Sequence, residues 1–265
     1  MALKKTAEAE TVEPTAKPAP ALPLFYKKPA ALDKIRHAKA GVLTLPTAEF
    51  ARETNSIAIN VLEFIEAAKF YPIVFTTSDE PMPLAIVGLE SDNYYVGKDG
   101  TWQDATYVPA YVRQYPFVFF ENEKEEKFYL CIDEKAVHYR VDGGEGTSPL
   151  FNEDGTPSPL SNQALEFCSS YYRHYQVSKQ FTADLVKHKL LGPYNSQVKL
   201  NSGRTMTLSG FQMIDENALN ALSDEVYLEF RKKGWLPFIH FALASASNWN
   251  RIAGMANARE AQAAN

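Results

Sequence analysis

The sequence predicts an α+β fold with a mainly antiparallel sheet, a long central helix and a C-terminal helical pair. Apolar residues alternate with polar ones, between turn signals, over much of residues 57–133, which is typical of antiparallel strands. An apolar stripe at spacings of three and four runs through residues 160–175 and indicates a long amphipathic helix. Few segments alternate strand, helix and strand, so we expect strands and helices to segregate along the chain.

The composition is that of a globular protein with a tail. The chain has 265 residues, 45% hydrophobic and 12% aromatic, which is enough for a sizeable core. Residues 1–22 nearly lack large apolar side chains and are predicted to be a disordered N-terminal tail. Residues 23–258 are expected to form a single domain, with a candidate seam at residues 142–157. Residues 259–265 are expected to be a frayed C-terminus.

The first half is predicted to be an antiparallel meander with short helical segments. Thr47 is a candidate N-cap for a helix over residues 48–54. The other predicted segments are, in order, a short strand near residues 43–45, alternation over residues 57–61, a helical segment over residues 63–69, a strand over residues 71–75, and a hairpin of residues 84–89 and 93–96.

An aromatic block occupies residues 107–117, with the sequence Tyr-Val-Pro-Ala-Tyr-Val-Arg-Gln-Tyr-Pro-Phe. Pro109 favours the start of one helical turn and Pro116 favours its end, so this turn carries Tyr111 and Arg113. A hairpin of residues 117–121 and 127–133 follows. Because both faces of its second strand are apolar, we expect both strands to be central in their sheet.

The most secure helix of the sequence begins after residue 157. Ser158 is a candidate N-cap with Pro159 at the first helical position, and the helix is expected to continue to about Leu190. A second hairpin, with its turn at residues 201–204, is predicted to follow it.

The C-terminal part is predicted to be helical. One helix is predicted to begin after Ser223, as its N-cap, and to end at Gly234. It has acidic residues in its first turn and basic residues in its last. A final helix is expected to open at Pro237 and to fray after about Ala256.

Charge and hydropathy limit the partners of this chain. A net charge of -5 disfavours nucleic acid, which is bound mainly by clustered Lys and Arg. The longest apolar stretch, residues 235–246, is shorter than the roughly 20 residues that span a bilayer, so no membrane span is predicted. The N-terminal residues lack the apolar core of a secretory signal, so a cytoplasmic location is expected. Export by a route without such a signal stays open.

The histidines give no sign of a metal site. None of the five has a spacing typical of metal ligation, so no metal and no cofactor are predicted. Asp184 and His188 are four apart on the long helix, where a surface carboxylate–imidazole pair is the favoured interpretation. His240 lies in an apolar run and is expected to be a core histidine with one backbone partner, ahead of a ligand role.

Nucleophile signals are also weak. The chain has no Gly-x-Ser-x-Gly motif. Cys131 and Cys168 lie in apolar surroundings, so free buried thiols are favoured over a disulfide, which stays a minor alternative. Catalytic residues are therefore not assigned.

The aromatic block gives the candidate binding site. Tyr107, Tyr111 and Tyr115, together with Trp102, surround Arg113 in the sequence. The rings would line a groove and stack a ligand, while the guanidinium anchors a carboxylate. The alternative, which we favour on general grounds, is that the rings pack in the core and Arg113 pairs with an Asp or Glu.

An ordered set of motifs resembles the SapC-like family of bacterial proteins, over nearly the whole chain from about Leu24 to Gly254. The motifs are residues 24–26, 71–75, 107–117, 130–133, 149–151 with Gly155, 208–211, 234–236 and 247–249. The Tyr-Val-Pro-Ala-Tyr-Val-Arg segment is the most specific of them. Ser209 stands where the family pattern has glycine, and residues 244–247 depart from a Leu-Ser-Leu-type sequence.

The resemblance implies involvement in making, exporting or displaying a surface-layer (S-layer) protein, and it brings no catalytic residues. Our first hypothesis is therefore an accessory protein that binds a protein or peptide partner through the aromatic face around Tyr111 and Arg113. The alternative is an enzyme of unknown reaction, with or without a metal ion, whose site lies between the sheet and the C-terminal helices. A third option is a self-assembling lattice subunit. The sequence does not predict the oligomeric state.

Overall fold

The computed structural model describes residues 22–122 and 127–263. The α-helices of this part are α1 (Phe64–Ala67), α2 (Ala110–Arg113), α3 (Pro159–Lys187), α4 (Glu216–Asn220), α5 (Asp224–Lys233), α6 (Leu236–Ala244) and α7 (Trp249–Ala263). Its 3-10 helices are Glu49–Ala51, Val61–Glu63 and Ser245–Asn248. The tail predicted for residues 1–22 lies, except for Leu22, outside the described residues.

The strands form antiparallel sheets and, with the helices, confirm the α+β class. They are β1 (Pro29–Ala31), β2 (Gly41–Leu43), β3 (Ser56–Ala58), β4 (Ile73–Thr76), β5 (Pro83–Ile86), β6 (Phe117–Asn122), β7 (Lys127–Asp133), β8 (Tyr139–Arg140), β9 (Thr147–Pro149), β10 (Leu191–Lys199) and β11 (Thr205–Ile214).

The large sheet has five strands in the order β10-β11-β4-β5-β3, all antiparallel to their neighbours. It combines strands from before and after residues 142–157, because β11 pairs with β4 through Phe211 opposite Thr76. The central position of β4 explains why Ile73, Val74 and Phe75 are fully buried.

Two smaller sheets of three strands have the orders β1-β7-β6 and β8-β2-β9. The predicted hairpin of β6 and β7 is present, but only β7 is central. Strand β1 pairs only with Cys131, Ile132 and Asp133, so the first half of β7 has no neighbouring strand on the side away from β6. Phe128 in this half is 40% exposed. The expectation that both strands are central was therefore wrong for β6.

Helix α3 confirms the predicted long helix. Ser158 Oγ accepts a hydrogen bond from Ser161 N at 3.2 Å, and Pro159 occupies the first turn. The inward face of the helix buries Cys168, Phe181 and Leu185, and packs against β6, β7 and Val61–Glu63. The stripe of apolar residues therefore places α3 between the large sheet's core and the sheet of β6 and β7.

The largest core cluster lies between the large sheet, α3 and the C-terminal helices. Phe64 and Phe181 meet edge to face, with ring centroids 6.2 Å apart, and Phe230 and Ile239 are also fully buried in this cluster. Each such side chain contributes roughly 1.5–3 kcal/mol through the apolar area that it removes from water.

The residues before β1 are anchored to the hairpin of β6 and β7. The Tyr26 hydroxyl donates to Phe117 O at 2.5 Å. The Asp133 carboxylate, which is 0% exposed, accepts from Lys27 N at 3.0 Å and from Lys28 N at 2.8 Å. Asp133 therefore attaches the N-terminal segment to the body of the fold.

Two predicted elements of the first half differ from the structure. The helix expected over residues 48–54 is only the 3-10 turn Glu49–Ala51, because Arg52 O accepts from Asn93 N at 2.8 Å and not from a helical N–H. Residues 93–96 do not form the expected strand. Asn93 Oδ1 accepts from Tyr95 N at 2.9 Å, and such a local bond favours a turn over a sheet ladder.

The C-terminal helix is divided, where the sequence predicted one continuous helix after Pro237. The break is Ser245–Asn248, where Ser245 Oγ accepts from Ile73 N at 2.9 Å. Helix α7 then continues to Ala263, past the point at about Ala256 where fraying was expected. Arg259 Nη2 donates to Asn93 O at 3.0 Å and so attaches the last turns of α7 to the body.

The structure also corrects two interpretations of histidines. His240 is exposed, because Ile239 and Ala242 form the inward face of α6 and the helical period turns residue 240 outward. Asp184 does not pair with the imidazole of His188. It accepts from Lys233 Nζ at 2.8 Å and from Trp235 Nε1 at 2.6 Å, since α5 passes beside α3 at this point.

Among the described residues, no helix combines the length and the apolar character that crossing a membrane requires.

Candidate functional site: a groove beside Arg113

A groove of about 880 Å³ lies between the segment that follows β2, helix α2 and the first half of α3. We call it the Arg113 groove. Its walls are mainly apolar and aromatic and include Leu43, Phe50, Val112 and Phe167. This volume is typical of sites that bury most of a drug-sized ligand.

Arg113 is fixed at the wall of this groove. It lies in the last turn of α2, between Pro109 at the N-cap and Pro116. Its Nε donates to Val108 O at 3.0 Å, and its Nη2 donates to the Tyr107 hydroxyl oxygen at 3.2 Å. The Arg113 Cζ lies 5.7 Å from the ring centroid of Tyr107 and 5.3 Å from that of Phe167. These contacts hold the guanidinium in one orientation.

Arg113 forms no ion pair with another described residue. Within the described chain, no carboxylate oxygen lies within 4.0 Å of its guanidinium, and its Nη1 makes no hydrogen bond. The expectation that Arg113 pairs with an Asp or Glu is therefore not met. A fixed, exposed guanidinium with a free Nη1 is available to an external anion.

Glu63 supports this arrangement from behind. It is 7% exposed, and its Oε1 accepts from the Tyr107 hydroxyl at 2.9 Å and from Ala110 N at 2.8 Å. Its Oε2 accepts from Asn60 N at 2.7 Å. Burial, followed by the negative charge of Glu63, raises the pKa of Tyr107, so its hydroxyl stays protonated. Glu63 thus orients Tyr107, and Tyr107 in turn orients Arg113.

A second cavity, of about 290 Å³, lies next to the groove. Arg113 and Phe167 line both cavities and so form the partition between them. Tyr107 and Glu63 line the second cavity and not the groove. Tyr107, which accepts from Arg113 Nη2, therefore lies on the far side of Arg113 from the groove, whereas Val108, which accepts from Nε, lines the groove itself.

Two buried residues of the groove carry polar side-chain atoms without a hydrogen-bond partner among the described residues. His138 is 7% exposed, and its Nδ1 makes no hydrogen bond in the described part of the protein. The amide of Gln114, which is 5% exposed, likewise makes none to a described residue. Since more than about 90% of buried polar groups in folded proteins are hydrogen-bonded, the unpartnered Nδ1 of His138 indicates that a bound molecule or water completes the site.

The structure separates the five residues that the sequence predicted as a site. Trp102, Arg113 and Tyr115 line the Arg113 groove, whereas Tyr107 lines the second cavity. Tyr111 lines neither cavity. Of the five residues, Arg113 is thus the one that lines both cavities.

The tyrosine hydroxyls of this block are engaged inside the protein. The Tyr111 hydroxyl donates to Leu24 O at 3.0 Å, and that of Tyr115 donates to Asp133 Oδ2 at 3.2 Å. Burial raises the pKa of both phenols, and the charge of Asp133 raises the pKa of Tyr115 further. A ligand in the groove therefore contacts the ring of Tyr115 and not a free hydroxyl.

Sequence reasoning missed His138, Gln114 and Phe167 as members of the site. Phe167 was interpreted as part of the core stripe of α3, and nothing around His138 distinguishes it. These residues come from three separate segments, and only the folding of the chain brings them to one groove. Gln114 had one local signal, its position directly after Arg113.

Metal ligands and cysteines were the groups to check for the enzyme hypothesis. The described residues contain no group of three or more His, Cys, Asp or Glu that could hold a metal ion. Cys131 and Cys168 are free and buried, as expected, and burial raises their pKa values to about 11 and about 12. Both are therefore thiols near neutral pH, and not thiolates.

His138 gives a prediction about pH. Burial lowers its pKa in the folded protein, and Arg140 adds to this effect. The unfolded chain, with a histidine pKa of about 6.5, then binds the proton more readily, so stability falls as the pH drops below that value. We expect His138→Gln to lose less unfolding free energy than the natural protein between about pH 7.5 and about pH 5.5 in urea titrations. Equal losses would contradict this assignment.

The fold is thus α+β with antiparallel sheets, and its candidate site is an apolar groove with one fixed guanidinium. The family model for SapC matches residues 32–252. This chain therefore belongs to the SapC family, as the motifs indicated. None of the curated proteins and none of the solved structures that were compared with the chain matches it.

Proposed function

We propose that this protein is an accessory binding protein of a bacterial surface-layer system, and that its Arg113 groove holds a peptide segment of a protein partner. The single observation that carries the binding role is the guanidinium of Arg113, which is fixed and exposed and has no carboxylate partner in the part of the chain that the structure describes. The family resemblance supports the surface-layer part of the proposal.

The lining of the groove supports a partly apolar ligand. Phe50 and Tyr115 stack with ring centroids 4.0 Å apart, and Val112 and Phe167 add further apolar surface. Aromatic and aliphatic side chains of this kind supply most of the binding energy at peptide sites, while one charged group fixes the orientation.

The charge of the groove supports a ligand with few negative charges. Asp99 and Asp104 line the groove in addition to Arg113. A polyanion such as nucleic acid would be repelled by both carboxylates, whereas a peptide with one carboxylate would meet Arg113 alone.

An affinity selection tests the proposal. The purified full chain is incubated with a pool of short N-acetylated peptides of random sequence, the retained peptides are identified by mass spectrometry, and their affinities are measured by fluorescence polarisation. We expect Arg113→Ala to weaken binding of the selected peptides by at least about tenfold, because a charge-assisted bidentate contact is lost.

The matched control is Arg231→Ala, which removes an exposed arginine of α5 that lines neither cavity. It should bind the same peptides with unchanged affinity. If the natural protein retains no peptide, or if both variants bind as the natural protein does, the proposed site is wrong.

A further inference from the structure

We infer that the Arg113 groove binds the free carboxyl terminus of its peptide ligand, and not an internal segment. This inference rests on the proposed function and names the part of the partner that the groove takes. It is carried by the geometry of Arg113, by the partition that Arg113 forms with Phe167, and by polar atoms of His138 and Gln114 that have no partner among the described residues.

The guanidinium is arranged for a carboxylate. Nε is occupied by Val108 O, and Nη2 by the Tyr107 hydroxyl, which leaves Nη1 and the second hydrogen of Nη2 free. These hydrogens lie on one edge of a planar group, and such an edge binds both oxygens of a carboxylate in parallel. Because Tyr107 and Phe167 restrict the guanidinium, little side-chain entropy is lost on binding.

The partition favours the end of a chain. Arg113 and Phe167 separate the groove from the smaller cavity behind them. An extended peptide that continued from the groove into the smaller cavity would have to displace these side chains and break the contacts with Tyr107 and Val108. A peptide that ends at Arg113 fills the groove without disturbing the partition.

Gln114 and His138 match the main chain of such a ligand. The last peptide unit before a terminal carboxylate carries one N–H donor and one carbonyl acceptor. The Gln114 amide supplies both a donor and an acceptor, and neutral His138 has a ring nitrogen without a partner. Contacts to peptide groups would satisfy both side chains whatever the sequence of the ligand.

The charge distribution is consistent with a single terminal carboxylate. Asp99 and Asp104 also line the groove, so further acidic residues near the end of the peptide would be repelled. The ligand class is therefore a peptide that ends in apolar residues with a free carboxyl group.

The experiment compares four forms of one peptide taken from the selection described above. The forms are the free acid, the C-terminal amide, the same sequence extended by glycine and amidated, and an amide whose last residue is glutamate. The full chain is titrated with each form in fluorescence polarisation. We expect the amide and the extended form to bind at least about tenfold more weakly than the free acid, and the glutamate amide to bind no better than the amide.

The variants separate this inference from the proposed function. In Arg113→Ala the free acid and the amide should bind equally, since the difference between them depends on the guanidinium. If the natural protein binds the amide or the extended form as tightly as the acid, internal segments are accepted and the inference fails, while peptide binding stands. Equal binding of the glutamate amide and the free acid also overturns it. If no form binds, the proposed function itself fails.

Discussion

Replacing Asp133 with alanine is expected to lower the free energy of unfolding by about 3 kcal/mol, because several buried donors lose their acceptor together. The carboxylate accepts from Lys27 N, Lys28 N and Lys135 N and from the Tyr115 hydroxyl. Asp133→Asn should lose less, since the asparagine oxygen still accepts from some of these donors. Chemical denaturation of the purified variants measures both values.

Asp142→Ala is the matched control for this prediction. Asp142 is exposed and has no ion pair with another described residue, so its removal should change stability by no more than about 0.5 kcal/mol. A loss of unfolding free energy below about 1 kcal/mol for Asp133→Ala would show that water takes the place of the missing carboxylate at these donors. The anchoring role of Asp133 would then be wrong.

Replacing Glu63 with alanine is expected to affect both the fold and the site. The buried carboxylate accepts from Asn60 N, Ala110 N and the Tyr107 hydroxyl, so its loss should cost about 2–3 kcal/mol of unfolding free energy. The Tyr107 hydroxyl would also lose its acceptor, so its hydrogen bond from Arg113 Nη2 would no longer be fixed, and Arg113 would keep only its contacts with Val108 and Phe167. We therefore expect binding of the selected peptides to weaken under conditions where the variant is still folded.

Glu66→Ala provides the comparison at the neighbouring turn. Glu66 is half exposed and pairs with Lys69 at 2.7 Å, an exposed ion pair worth at most about 0.5 kcal/mol. Peptide binding should be unchanged in this variant. If Glu63→Ala and Glu66→Ala have equal affinity for peptide, the orientation of Arg113 does not depend on Glu63.

The elements that the sequence predicted well are those with local signals. Ser158 and Pro159 place the start of α3, and Gly234 adopts the left-handed conformation, with φ of 76°, that ends α5. The turn at residues 201–204 likewise joins β10 to β11. In each case a cap or turn residue and the adjoining apolar period agree, so a few neighbouring residues are enough to determine the element.

The elements that it predicted poorly depend on distant partners. The break at Ser245–Asn248 follows from hydrogen bonds of these side chains to Ile73 N and to the carbonyls of Ala68 and Tyr71. The apolar pattern of the helix itself gives no information about such distant partners. The exposure of Phe128 in β7 follows from the short pairing of β1 with β7. Both depend on which segments meet in space.

Of the residues that form the candidate site, the sequence singled out Arg113 most clearly. Arg113 stood out because proline and aromatic residues surround it, and the role of the predicted five residues as a binding surface stays a prediction. That the tyrosine hydroxyls point to internal acceptors, and that His138 and Phe167 join Arg113, depends on tertiary contacts between segments far apart in the chain.

The pairing of β11 with β4 has a consequence for the order in which the protein is made. While the ribosome is still translating the segment before β10, β4 has β5 on one side and an unpaired edge on the other. An uncovered edge of an apolar strand readily pairs with the wrong chain. The nascent protein therefore carries an aggregation-prone edge until the residues of β11 emerge and cover it.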